Sequence, residues 1–516
     1  MVDLEETPAS EEVVTASGRS GRVRRLAIVG LRVVSGTVGI AAAVAVIAAV
    51  GLIPLPTHSI AAPTVVVTPK PADQTRLCAG GLLRLGDVTG QNAGTPSSIG
   101  APSVRSGGIG ASLQDSQLPT SDAGSGGTAS APRQLTLPAA AGSTLSGAQS
   151  QLAEAQDYTG FAAASCAEPS GSIWLVGGST TVGRTTLVTL ANASGVDATV
   201  ALTILSLDGA VNAPGMAGII VKSGQQRVIS LAGFAPGVAS PVVHVVARGG
   251  QVTAYLQQSI VRGLDPGGVD IINAGADPAT HLVIPGIRVR NSVGVNRALA
   301  LADWDDVVAA VRVAVPGSTA AKVQVSLRPQ GSKLTGLSFE MDVPAGQVKE
   351  LPLDSAAETE SGNVAIPDGD YTVVLNSDQP IVGGARVSTA VDSATSSSLN
   401  SDTSAPASDF AWYASAPLLT GDTAVSIAPG ASPELSASNP GTTPITLVLA
   451  AQGGQDLTLN VPAGGSATIP VATGTSYLLT GAKGLVVGIS YAGDALLAAY
   501  PVASARPVSG PISIHP

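Results

Sequence analysis

One pattern recurs three times in this chain and limits the folds open to it. From Ser172 onward, short alternating apolar runs are divided by Gly, Pro and Asn. The first series opens with Ile173-Trp174-Leu175-Val176-Gly177-Gly178, then runs to Leu190-Ala191-Asn192-Ala193-Ser194-Gly195 and resumes from Ala198 to Leu207. The second has Val311 to Val315-Pro316-Gly317, then Ala321 to Leu327. The third has Leu435 to Ser438-Asn439-Pro440-Gly441, then Ile445 to Ala450. Period-2 runs joined by such turns predict a strand pair at each place, a hairpin closed by Asn, Pro or Gly.

A second shared element follows in each series. It reads Val221-Lys222-Ser223-Gly224-Gln225, Val343-Pro344-Ala345-Gly346-Gln347 and Val461-Pro462-Ala463-Gly464-Gly465. A closing pair of strands comes next: Val242–Ala247 with Val252–Ile260, Tyr371–Leu375 with Ile381–Ser388, and Tyr477–Leu479 with Leu485–Tyr491. Turns such as Arg248-Gly249-Gly250 and Ser377-Asp378-Gln379-Pro380 join them. About seven short strands in roughly 90–110 residues predict an immunoglobulin-like β-sandwich per repeat, at 172–275, 276–400 and 401–516. Composition agrees. Hydrophobic residues make up 44% and aromatics only 3%, with 61 Gly and 36 Pro, so the apolar mass is Val, Ala, Leu and Ile, β-branched types prominent among them, and the punctuation is dense.

The N-terminal region follows another rule. Val33 to Ile53 carries no charge; Arg19, Arg22, Arg24, Arg25 and Arg32 precede it, and Pro54 and Pro56 follow. About twenty apolar residues match a ~30 Å hydrocarbon layer, and the arginines favour the cytoplasmic side. The expectation is a signal anchor at 33–53 in the cell membrane, single-pass, with a disordered cytoplasmic tail at 1–32 and everything after Leu55 extracytoplasmic. The competing reading is a cleavable leader, for which Ser59-Ile60-Ala61 before Ala62 supplies a cleavage site. Arg24-Arg25 matches a twin-arginine export signal poorly and is read as positive-inside charge.

Residues 54–171 read as a disulfide-tied, partly disordered juxtamembrane segment. Between Gly86 and Ser150 the chain is Gly, Ser, Ala, Thr and Pro with little periodicity, and it predicts a flexible excursion. Gln149 to Asp157 predicts a short helix. Cys78 and Cys166 are the only cysteines. In an oxidising compartment two lone thiols most simply pair; the alternative is two unrelated buried thiols.

Few residues offer chemistry. Gly178-Ser179-Thr180-Thr181-Val182-Gly183-Arg184-Thr185 follows a strand as a phosphate loop does, but Arg184 replaces the essential Lys and a β-patterned run follows instead of a helix. His58, His244, His281 and His515 have no nucleophile elbow beside them. Asp303, Asp305 and Asp306 flank Trp304, and Asp368 and Asp370 flank Gly369; neither set supplies the six or more oxygens of a calcium site. They read as turn carboxylates. Asn192-Ala193-Ser194 matches a glycosylation sequon but reads as a turn. Trp174, Trp304, Trp412 and Tyr413 fall near repeat starts and predict plugs at sandwich ends.

Cys78-Ala79-Gly80 with Ala164-Ser165-Cys166-Ala167, the Trp174-to-Gly178 block and the Leu190-Ala191-Asn192 turn resemble an uncharacterised family of actinobacterial envelope proteins. The resemblance implies a short cytoplasmic tail, one membrane segment and a β-rich exported region. It supplies no catalytic residue, cofactor or metal ligand. With net charge −10 and no basic run beyond the juxtamembrane arginines, nucleic acid is not an expected partner. The functional expectation is a non-enzymatic, membrane-anchored scaffold or binding protein of the envelope, with a protein or glycan partner. The alternative is an enzyme or accessory subunit of envelope polysaccharide metabolism using Asp303, Asp305 or Asp306.

Overall fold

Period-2 alternation of β-branched residues becomes strand after strand, and the described chain is nearly all β. The computed structural model describes residues 37–45, 65–67, 73–85, 96–118, 120–122, 130–140, 142–155, 158–331, 336–353, 365–391, 406–505 and 512–514. It divides into two units, Met1–Thr68 with Gly510–Pro516, and Pro69–Ser509. In the smaller unit, residues 37–45 form an α-helix and Val65–Val67 pairs antiparallel with Ile512–Ile514. The tail 1–32, the ends of the Val33–Ile53 segment, His58, the Ser59-Ile60-Ala61 site and His515 lie outside the described residues. Among the described residues no helix is long and apolar enough to cross a membrane.

In the larger unit each repeat contributes two groups of strands around one core. In the first repeat, Ser172–Val176, Val242–Gly249 and Ala198–Ser206 form one sheet. Asp265–Ile272, Thr253–Arg262, Arg184–Ala191 and Gln225–Ser230 form the other, with Thr120–Ser121 added in parallel at its edge. Leu175, Ile204 and Val245 from one sheet meet Val188, Leu190 and Leu256 from the other in a shared core. The third repeat is built likewise, from Thr423–Ser426, Ser476–Thr480, Ile445–Ala451 and Leu457–Val461 against Ser466–Pro470, Glu434–Ser438, Val486–Gly493 and Leu496–Pro501.

The turns expected to close hairpins do something else. Arg184–Ala191 and Ala198–Ser206, Ala310–Ala314 and Ala321–Pro329, and Glu434–Ser438 and Ile445–Ala451 are not paired with each other. Each turn is an arch that carries the chain from one sheet to the other. A hairpin and an arch use the same turn residues; what separates them is which strands finally bond, a non-local matter. The closing pairs are likewise corrected. Val242–Gly249 and Thr253–Arg262 lie in opposite sheets, as do Ser476–Thr480 and Val486–Gly493. In the second repeat the expected turn at Ser377–Pro380 is absent, and Gly369–Val391 is one strand of 23 residues. Its first half bonds Ala279–Val289 and Ala321–Pro329; its second half bonds Ala310–Ala314 and Ala407–Ala414. Pro380 sits at the crossing between them, in a stretch with no ladder partner, where its missing N–H costs nothing.

The threefold repeat is nonetheless visible atom by atom. Gly224 N donates to Asn192 O and Asn192 N to Gln225 O; Gly346 N donates to Val315 O and Val315 N to Gln347 O. In the third repeat Gly464 N bonds Gly441 O and Asn439 N bonds Gly465 O. Gly224, Gly346 and Gly464 adopt φ of 71°, 68° and 63°, which is why glycine recurs there. Asn192 and Asn439, both fully buried, brace their arches in parallel ways. Asn192 Nδ2 donates to Val196 O and Val221 O, and Asn439 Nδ2 to Thr443 O and Val461 O. Ser194 N and Gly441 N donate to their respective Oδ1 atoms.

The stretch expected to be flexible contains ordered strands. Ser103–Ile109, Gln114–Gln117 and Arg133–Leu137 lie within it, and Thr144–Ala155 begins in it and runs past Ser150. The helix predicted at Gln149–Asp157 is the end of Thr144–Ala155, which bonds Tyr158–Ser165 and Ser103–Ile109. Cys78 and Cys166 are joined by a disulfide, fully buried with Leu135, Leu137 and Leu145. Small residues serve packing here: a Cβ on Gly147 would stand 3.0 Å from Cys166 Sγ.

Ala407–Ala414 ties the repeats together. It was expected to open the third repeat but hydrogen-bonds Gly384–Val391 in the second. Its alternate faces enter two cores: Phe410 and Trp412 pack in the first repeat, Ala411 and Tyr413 in the second. Trp412 and Tyr413 are therefore central, not end plugs. Trp304 packs with Val295, Ala298, Val307 and Ala390, and Trp174 stacks on His244 at 3.9 Å between centroids.

Candidate functional site

The two loops with the most chemical promise in the sequence meet at one carboxylate. Asp306 is the middle residue of a 3-10 turn at Asp305–Val307, and Arg184 begins the strand after the glycine-rich loop. Arg184 Nη2 lies 2.8 Å from Asp306 Oδ2, and Arg262 Nη2 lies 2.5 Å from Oδ1. Both guanidinium groups also donate through Nε. Arg262 is held from its other side by Trp304, whose ring centroid is 4.2 Å away. Burial alone would raise the Asp306 carboxyl, but Arg262, Arg386 and Arg184 together hold it below its ordinary value. Asp303 and Asp305 stay exposed on either side of Trp304.

A second buried pair lies where the first and second repeats touch. Arg312, 1% exposed, donates Nε to Glu350 Oε2 at 2.6 Å. Its Nη1 donates to Gly178 O at 2.9 Å and Pro241 O at 3.0 Å, so the glycine-rich loop is an acceptor of arginine, not a cradle for phosphate. Glu350 also accepts from Ser240. Burial opposes its charge, yet Arg312 and Arg386 keep it below the usual carboxylate range. Arg312 lies 4.5 Å from the ring of Trp412, whose Nε1 donates to Gln258.

Two carboxyls are buried without a cation in contact. Asp270 accepts from Trp412 N at 2.7 Å. Asp409 accepts from Phe161 N at 2.9 Å, Val269 N at 3.2 Å and Leu497 N at 3.1 Å, so one side chain binds the N-terminal segment, the first repeat and the third. Burial raises both well above ordinary carboxyl values, against the pull of those N–H donors.

The remaining candidates are scattered and engaged in local bonds. His244 bonds Ser172 Oγ, and His281 bonds Asn376 Oδ1. Asp368 accepts from Ser292 N at 2.8 Å, and Asp370 pairs with Arg290 at 2.6 Å. Among the described residues no group of three or more His, Cys, Asp or Glu is placed to hold a metal ion. Sequence reasoning passed over Arg312, Glu350, Asp270 and Asp409. For two of them the signal was a charge set inside an apolar run, Val311-Arg312-Val313 and Val269-Asp270-Ile271, and for Asp409 a charge at the start of one, Phe410-Ala411-Trp412.

A family model described as a family of unknown function (DUF5719) matches residues 120–472, which include Arg184, Arg262, Asp270, Asp306, Arg312, Glu350 and Asp409. The chain belongs to that family. No curated protein matches the chain. Among solved structures, the Anabaena sensory rhodopsin transducer is similar over 23% of this chain and 96% of its own at 19% identity, with a TM-score of 0.15. That score carries no structural argument. What the DUF5719 chain itself presents is a set of buried charges bonded across the boundaries between repeats.

Proposed function

We propose that this chain is a non-enzymatic, membrane-anchored scaffold or binding protein of the cell envelope. Its exported part would be a run of three immunoglobulin-like sandwiches, and Val33–Ile53 its anchor. The observation that carries this reading is the strand Ala407–Ala414, which locks the repeats into one body. Asp306, Arg184, Arg312 and Glu350 are committed to the same task, bonding element to element. A body assembled this way suits presenting surfaces at fixed spacing. Among the described residues the most exposed large apolar side chains are Val182 and Leu264, 95% and 92% accessible, on loops at the same end of the Arg184–Ala191 and Thr253–Arg262 strands. Loop tips of this kind are the usual sites of recognition.

Site-specific photo-crosslinkers at Val182 and Leu264, in the full chain in its own cells, test the proposal. Recovery of one shared envelope partner from both positions is expected. Recovery of none at either position would overturn the scaffold reading. Alanine at the exposed Asp303 and Asp305 should leave a deletion phenotype complemented; loss of complementation by a folded variant would favour the polysaccharide enzyme.

A further inference from the structure

One strand of the N-terminal segment has a partner on only one side for part of its length. In Thr144–Ala155, residues 148–155 pair with Tyr158–Ser165, and residues 144–150 pair with Ser103–Ile109 on the other side. Residues 151–155 therefore keep one edge open; among the described residues no further strand or backbone hydrogen bond reaches it. At about 3.3 Å per residue this is roughly 15 Å of edge. Such an edge is a template for another chain, and native proteins blunt it with Lys, Pro or a bulge. This stretch has none of them. Both registers run without a shift, and its exposed side chains are Leu152, 47% accessible, and Glu154.

A groove of about 680 Å³ follows the same stretch, inside the ~300–1,000 Å³ range of ligand sites. It opens because the chain before Ser103 belongs to another sheet. Pro96–Ser98 pairs with Leu83–Leu85, and Ile99 N donates to Leu82 O. Past the Ser103–Ser150 pair the two strands part, and residues 99–101 and 150–155 both line the groove. Its walls are pinned. Gln151 Nε2 donates to Ile99 O, and Gln151 Oε1 accepts from Leu82 N at 2.9 Å. Ser150 Oγ donates to Pro429 O, and Phe161, Pro429 and Leu496 supply apolar surface.

These features select one kind of occupant. An open edge offers N–H and C=O groups at strand spacing, which an extended chain matches along its length. Among the described lining residues only Glu154 is charged, so a basic side chain opposite it is favoured and an acidic one opposed. Leu152 and Glu154, two apart, project from one face and call for an apolar and a basic residue at alternate positions. We propose that residues 151–155 bind an extended segment of another protein by taking it into the sheet as an added strand, with an apolar side chain against Leu152 and a Lys or Arg against Glu154. This goes beyond the scaffold reading and uses none of the residues in its crosslinking test, so either can fail alone.

Fluorescence anisotropy on the full chain in detergent, with the end-blocked, labelled peptide Thr-Val-Thr-Lys-Thr-Val-Thr, provides the test. Saturable binding is expected, about five-fold tighter than for the same peptide with Glu in place of Lys. Glu154→Lys, at an exposed position, should reverse that preference and keep the thermal midpoint. Alternate N–H groups of a strand point to opposite edges, so two isomers N-methylated on alternate residues separate ladder bonding from plain apolar contact. One isomer should lose about ten-fold or more and the other should bind as before. Absence of saturable binding, equal binding by both isomers, or a preference indifferent to Glu154→Lys overturns the proposal. A concentration-dependent dimer in sedimentation, abolished by Leu152→Lys, assigns the edge to a second copy of the chain and overturns it as well.

Discussion

The Arg184 guanidinium and the Asp306 carboxylate, 122 residues apart in the chain, meet at 2.8 Å with Arg262 completing the pair from the other side. A loop with the pattern of a phosphate site and an acidic loop with the pattern of an ion site thus neutralise one another. Neither chemistry is left free, and what remains is a tie between the first repeat and the second.

Removing Asp306 strands two partly buried guanidinium groups, whereas removing Arg184 leaves the Arg262 pair intact. Asp306→Asn should destabilise the fold by about 3 kcal/mol, the scale of a broken buried ion pair, and Arg184→Ala by about 1 kcal/mol. Denaturant unfolding of the two variants beside the unmodified chain checks the order. Equal midpoints for all three would remove Asp306 from this role.

The buried carboxyls make stability depend on pH in two opposed ways. Asp270 and Asp409 have folded-state values raised by burial, so between the unfolded value and the raised one the folded chain binds more protons than the unfolded chain. Their contribution falls as pH rises through that window. Asp306 and Glu350 have lowered values, so theirs is complete above the ordinary carboxylate range and is lost as pH falls through their folded values. Stability should rise on acidification from neutrality toward about pH 5 and decline below about pH 4. Urea midpoints across that range read it directly, and a steady decline from pH 7 downward contradicts it.

Asn192 and Asn439 each close an arch with one buried amide bonded to three backbone groups. Asn192→Ala and Asn439→Ala should each cost about 1–3 kcal/mol, since the backbone partners lose their bonds inside the protein. The sites belong to different repeats, so the double variant should show the sum within about 0.5 kcal/mol. Thermal melts of the three variants provide the comparison.

The Cys78–Cys166 bridge spans a sequence separation of 88 residues. Replacing both cysteines with alanine should cost on the order of 4 kcal/mol through the freed unfolded chain. The measurement is the unfolding midpoint of the double variant against the oxidised chain. No change would mean that packing of Leu135, Leu137 and Leu145 alone holds this core.

Much of the architecture was legible along the chain because it is written in local chemistry. Gly346 recurs as Gly224 and Gly464 because one turn needs positive φ three times, and each repeat shows it in sequence. Gly107, Gly147 and their Ser and Ala neighbours misled for an equally physical reason. Small residues are the composition of disorder, and they are also what lets Thr144–Ala155 and Ser103–Ile109 approach the surrounding strands closely. Composition does not distinguish the two; a neighbouring surface does.

Strand periodicity, the threefold turn grammar and the pairing of two lone cysteines were determined by the sequence itself, since each depends on residues near one another or on a count of two. Tertiary structure alone decided that the Asn192, Pro316 and Asn439 turns are arches, that Gly369–Val391 runs unbroken past Pro380, and that Ala407–Ala414 serves two cores at once. It also brought Arg184 to Asp306 and set Asp409 against the backbone of Phe161, Val269 and Leu497 at once. Hydrogen-bond partners across a sheet and charges across a repeat boundary are chosen by which distant strands bury their faces together, and no local window contains that choice.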